Sequence, residues 1–171
     1  MNKIFLGVSI SILTLVMLVA PMVGLAYAGK GQEKLDFVLY MVGAATGPPD
    51  KVWTTNGGIT QIRGYHWGIT GEYYVEIGGT KYYPIGYSSS LDVTLNTITG
   101  ASVVHVKESI IFDDGSIEIT VFDKTVPPKL TEGSFTGIGK GSLAGVKIHG
   151  TCDGHDTTII IRTGTAMGWS D

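Results

Sequence analysis

Cysteine is nearly absent: Cys152 stands alone in 171 residues. No internal disulfide can form, so the fold has to rest on its own core. No Asn-x-Ser/Thr triplet occurs, which excludes N-glycosylation. Basic residues are few and scattered, with 12 Lys and Arg against 15 Asp and Glu and a formal net charge of −3. That balance argues against nucleic acid and anionic membrane as partners. Beyond residue 28 no segment sustains a helical period, and no second apolar run rivals the first in length.

That first run opens the chain. Lys3 precedes an uncharged apolar stretch from Ile4 to Ala20, and Ala26-Tyr27-Ala28 is a small-x-small cleavage site. The order is that of a secretory signal, here residues 1–28, leaving residues 29–171 as a single β-barrel domain. Left uncleaved, residues 4–28 would instead anchor the chain in a membrane. The expected location is secreted or extracytoplasmic, in the cell envelope. Loss of Lys3 would make the mature chain one unit more negative. A lone cysteine and no glycosylation site suit a prokaryotic exported protein with a self-sufficient core.

The glycine-dense stretch from Ser134 to Cys152 organises the rest. Gly137, Gly139 and Gly141 alternate, so a strand would place them on one face. Glycine weakens a strand, and its use there is a bend or close approach of another backbone. Small barrels need such bends. A phosphate loop is excluded, because Lys140 is followed by Gly141 rather than Ser or Thr. Gly139-x-Gly141-x-x-Ala144 fits a loose dinucleotide fingerprint, but Gly145-Val146-Lys147-Ile148 cannot open the helix that motif requires.

Strand patterns fill the chain. Leu35 to Val42 is an apolar run. Asn56-Gly57-Gly58, Gly78-Gly79-Thr80, Thr99-Gly100 and Asp113-Asp114-Gly115 are turn signals. Between them Leu91, Val93 and Leu95 alternate with polar residues. Val104, Val106, Ile110 and Phe112 share one face, and Ile117, Ile119 and Val121 answer on the return strand. Turns recur at about 8–12 residues, the spacing of an all-β sandwich or barrel. The expected fold is all-β, a small closed antiparallel β-barrel of about eight strands, with closure removing exposed edges.

Two segments carry a resemblance. Lys51-Val52-Trp53-Thr54-Thr55-Asn56-Gly57-Gly58-Ile59-Thr60-Gln61-Ile62-Arg63-Gly64 is one, and Gly133 to Gly141 continuing through Leu143 to Thr151 is the other. Together with Leu91 to Gly100 they resemble exported proteins with an allene oxide cyclase-like, dirigent-like or calycin-like β-barrel. Gln61-Ile62-Arg63-Gly64 departs from those relatives, where a His often precedes Val-Arg-Gly. The cyclase's catalytic residues find no matching positions, so the resemblance implies fold and association into homo-oligomers rather than activity.

Several residues are candidates for chemistry. His149, Cys152 and His155 lie within the 149–156 patch and together offer zinc or copper ligands; a polar hairpin tip is the plainer reading. Arg63 sits among apolar neighbours and could clamp a carboxylate inside a barrel, or face outward as an ordinary charge. Tyr65, Trp67, Tyr73 and Tyr83 belong to an aromatic-rich half that could line a ligand cavity or simply pack in strands. Glu72, Glu76, Glu108 and Glu118 could supply acid–base carboxylates. Three functions follow as expectations. The first is binding of a small hydrophobic ligand or an envelope interaction without catalysis. The second is an isomerase or cyclase holding a hydrophobic substrate, which a filled interior would oppose. The third is metal binding through the 149–156 patch.

Overall fold

The computed structural model describes residues 33–127, 132–153 and 159–169. Eleven strands make one antiparallel sheet. They are β1 (Lys34–Ala45), β2 (Lys51–Thr54), β3 (Ile59–Tyr65), β4 (Trp67–Ile77), β5 (Thr80–Tyr82), β6 (Gly86–Asn96), β7 (Ser102–Ile111), β8 (Gly115–Thr125), β9 (Glu132–Gly141), β10 (Lys147–Asp153) and β11 (Ile159–Met167). Their order is β2-β3-β6-β7-β8-β9-β10-β11-β1-β4-β5. The chain is all-β as expected, and the sheet curls into a half-barrel. It is not a closed barrel of about eight strands. Two edge strands remain, β2 of four residues and β5 of three. Pro48 and Pro49 come just before β2, and Pro84 follows β5; proline cannot donate to a ladder, so neither edge extends.

The curl is pinned where β3 passes into β4. β3 and β4 lie near opposite ends of the strand order, yet only His66 separates them in sequence. The sheet therefore has to bend until its two ends meet at that point. Ser89 of β6 is the clasp: its hydroxyl accepts from Trp67 N and donates to Trp67 O, each at 3.0 Å. His66 Nδ1 lies 2.8 Å from Ser89 O. We call this line of side-chain contact the seam.

The turns sit where the sequence places them. Gly78 and Gly79 both have positive φ (58° and 85°) and link β4 to β5 in a two-residue hairpin, the geometry only glycine adopts cheaply. Alternation then decides the faces. In β1 Phe37, Leu39 and Met41 point inward and are fully buried, while Val38, Tyr40 and Val42 are half-buried outside. Register carries the inner row onward: Leu39 stands opposite Val75 of β4 and Arg162 of β11, and Arg162 opposite Cys152 of β10. Each fully buried Leu, Ile or Phe contributes about 1.5–3 kcal/mol, so this inner face holds the sheet curled.

The glycines of β9 and β10 also face inward. Gly137 and Gly139 are buried on one face of β9, while Gly141 ends the strand with φ of 67°. A Cβ at Gly137 would meet Ile148 Cγ1 at 2.6 Å, and one at Gly150 would meet Gly164 Cα at 2.6 Å and Phe135 Cε1 at 2.8 Å. Glycine here lets β9, β10 and β11 bend tightly round the core.

Candidate functional site

The half-barrel interior is apolar except for one cluster. Glu108 of β7 and Arg162 of β11 point inward from opposite sides of the curl and are 4% and 2% exposed. Both terminal guanidinium nitrogens donate to the carboxylate: Arg162 Nη2 reaches Glu108 Oε1 at 2.7 Å, and Nη1 bonds Oε2. A bidentate pair of this kind is what a buried carboxylate needs to stay charged. Burial opposes the guanidinium's charge, but the Glu108 carboxylate outweighs it and Arg162 is held above its ordinary range. Among the described residues this is the only ion pair.

Tyr73 of β4 and Tyr87 of β6 complete the cluster. Their rings meet edge to face at 5.7 Å across the seam. Both hydroxyls are buried and form no hydrogen bond of good geometry with a described residue, as is true of Arg162 Nε. Burial, then the Glu108 charge, push both phenols above their usual range, with Arg162 offsetting part of the effect. They are therefore protonated donors at neutral pH.

Cys152 lies beside Arg162 and Asp123. Burial drives its thiol pKa up from 9.0 to about 12, with Asp123 adding to the rise and Arg162 opposing it. A buried, protonated thiol is a poor nucleophile and a poor metal ligand. Iodoacetamide should leave Cys152 unmodified in the native protein at pH 8 and label it fully in guanidinium; rapid native labelling would contradict this burial. The thiol also sets an alkaline limit. Its folded pKa is raised, so the stability it contributes is complete below about pH 9 and falls as pH climbs toward 12, by up to about 1.4 kcal/mol per unit. Tyr73 and Tyr87 act with the same sign at higher pH. Thermal unfolding between pH 7 and 11 should show a plateau followed by a decline, with the decline starting later in Cys152→Ala.

A cleft opens at the seam. It has a volume of about 340 Å³ and is walled by Ile69 and Tyr73 of β4, Pro84 and Ile85 of the β5–β6 connection, and Gly86 and Tyr87 of β6. A second recess of about 320 Å³, under His66, borders Ser89 and Glu108.

The residues picked out from sequence are dispersed over this frame. Tyr73 lies at the cleft. Tyr65 pairs with Leu91 in the half-buried inner row. Trp67 sits on the seam with its indole Nε1 buried and packed against Gly43. Tyr83 is 66% exposed and meets Tyr74 edge-on at 6.4 Å. Arg63 faces outward, where it bonds Gln61 Oε1 at 2.6 Å and Val93 O at 3.3 Å. His149 and Cys152 occupy opposite faces of β10, three residues apart: His149 is exposed beside Thr165, and Cys152 is buried. β10 therefore does not aim both at one ion. His155 lies outside the described residues. Among the described residues no group of three or more His, Cys, Asp or Glu is placed to hold a metal.

Sequence reading named Glu108 only as one of four acid–base carboxylates, without setting it apart, and passed over Arg162. The signal was present for one of them. Glu108 falls between Val106 and Ile110 at period two, which puts it on their buried face. Arg162 shares a face with Ile160, but apolar residues on both sides of 159–161 conceal that parity.

No protein-family model, curated protein or solved structure matches this chain.

Proposed function

We propose that this chain is a binding protein for a small, mostly apolar ligand seated in the seam cleft. The observation that carries this reading is the cleft itself. It is walled by Ile69, Pro84 and Ile85, and backed by Tyr73 and Tyr87, whose buried hydroxyls make no hydrogen bond of good geometry among the described residues, Tyr87 lying near Ser89 and Glu108. Its volume of about 340 Å³ is that of a small-molecule site. Ile69, Pro84 and Ile85 supply apolar contact, while polar atoms make up the larger part of the accessible lining and the phenols offer donors for a carbonyl or hydroxyl group. A cyclase or isomerase would need an enclosed chamber and a free acid or base. Phe37, Leu39, Met41, Ile110 and Ile117 fill the interior, and Glu108 is committed to Arg162. Both facts favour binding over turnover.

The neutral fluorescent probe N-phenyl-1-naphthylamine tests the reading. It should bind saturably at one site per chain. Ile85→Asp alters an exposed wall residue and should weaken binding about tenfold or more while leaving the fold intact. Absence of saturable binding, or unchanged binding by Ile85→Asp, would remove the proposal.

A further inference from the structure

We propose that the outer face of β2, β3, β6 and β7 carries a second site, for an acidic saccharide. A groove of about 390 Å³ runs across this face, lined by Arg63, Asp92, Thr94, His105 and Lys107 among others. It lies on the opposite side of the sheet from the packed interior and shares no lining residue with the seam cleft.

Three features give it the character of a site. The first is how Arg63 is held. The ladder between β3 and β6 slips one residue between Ile62 and Tyr65, a bulge at which Gly64 takes φ of 64°. Gly64 N donates to Asp92 Oδ1 at 3.2 Å. Bulges re-aim a side chain, and here Arg63 is fixed by bonds to Ile62 O, Val93 O and Gln61 Oε1. Its guanidinium is ordered in advance of any ligand.

The second feature is unbalanced charge. Lys51 stands directly opposite Arg63 across the β2–β3 ladder. Like charges placed so destabilise a sheet. Among the described residues neither has an ion-pair partner, and neither does Lys107. Asp92 lines the groove and accepts from Gly64 N, and Asp50 rests its carboxylate against Gly64, so the cations Lys51, Arg63 and Lys107 outnumber the two carboxylates. A bound anion would relieve this repulsion, which ties ligand affinity to a local cost in stability.

The third feature is Trp53. It is 45% exposed on edge strand β2 and stacks against the Arg63 guanidinium, 5.7 Å from ring centroid to Cζ. An exposed indole beside a fixed guanidinium suits a sugar ring carrying a carboxylate: the ring lies on the aromatic face, and the carboxylate takes the Nε–H and the one Nη2–H that the bonds to Ile62, Val93 and Gln61 leave unused. Thr94, Ser90 and Asp92 offer partners for sugar hydroxyls along the groove.

Calorimetric titration with oligogalacturonate, a neutral oligosaccharide of equal length and inorganic sulfate tests the proposal. Oligogalacturonate should bind and the neutral chain should not. Lys107→Gln, a change at an exposed position, should weaken binding about tenfold, and Trp53→Ala should weaken oligogalacturonate while leaving sulfate unchanged. Lys51→Glu should raise the melting temperature and weaken binding together. No oligogalacturonate binding by the wild type would overturn the site, as would equal affinity in Lys107→Gln. Sulfate binding as tight as oligogalacturonate, with no effect of Trp53→Ala, would overturn the saccharide. Ile85→Asp should leave this titration unchanged, which separates it from the seam cleft.

Discussion

Arg162→Met should lower the stability of the protein by about 3–5 kcal/mol, because it strands the Glu108 carboxylate inside the half-barrel without its only ion-pair partner among the described residues. Net stabilities of domains are about 5–15 kcal/mol, so the variant would stand near the edge of folding. Glu108→Leu alone should do similar harm by stranding the guanidinium, which is 2% exposed. The double variant Glu108→Leu/Arg162→Met removes both charges and keeps comparable volume. It should return to within about 2 kcal/mol of the wild type, or exceed it. Urea unfolding of the four proteins measures this directly as a coupling energy. If the single changes simply add in the double variant, the two side chains do not act as a pair and the polar cluster has been misread.

Gly150→Ala should be nearly as damaging, for a different reason. The added methyl would strike the backbone of β11 at Thr163 and Gly164, and the Phe135 ring at 2.8 Å. Backbone cannot move aside as a flexible side chain can, so the strands would have to part. A loss of at least about 3 kcal/mol is expected, at or above the usual range for overpacking. Gly47→Ala is the control. Nothing lies within 4 Å of a Cβ there, and the substitution should be neutral or stabilising by a few tenths of a kcal/mol. Circular dichroism melts of the two variants compare them. A folded Gly150→Ala with unchanged melting temperature would show that β10 and β11 approach less closely than described.

These two positions also mark what the chain shows in its letters. That Gly137 and Gly139 share a face was legible, because period two is a local property of the strand, but not that the face is inward or that Gly141 leaves the row. So were the alternating strands around Leu91, Val106 and Ile119, and the hairpins at Gly78-Gly79 and Asp113-Asp114-Gly115. The partnership of Glu108 with Arg162 was not. It joins residues 54 apart in sequence and depends on how the curled sheet brings β7 across from β11, which no local pattern encodes. The strand count failed for a related reason. β2 and β5 are too short to show alternation, and the corner at His66 joins what reads as a run of separate pieces. Arg63 could be read as internal or as an ordinary outward charge; Ile62 pairs with Val93 in the inner row, so alternation puts Arg63 outside. Cys152 and His149 sat together in the sequence and are parted by strand parity.

The place of β1 in the strand order has a consequence for how the protein is made. The first strand lies between β4 and β11, the last, and its pairing with β11 runs from Lys34 opposite Met167 to Val42 opposite Ile159. During synthesis β1 can pair with β4 early, but its other edge has no mate until the final strand is complete. Contacts spanning nearly the whole chain are entropically slow to form, and folding dominated by them takes milliseconds to seconds. The chain therefore passes through an interval with Phe37, Leu39 and Met41 paired on one side only. A chain cut short before β11 would remain in that condition, with an apolar strand edge open to aggregation.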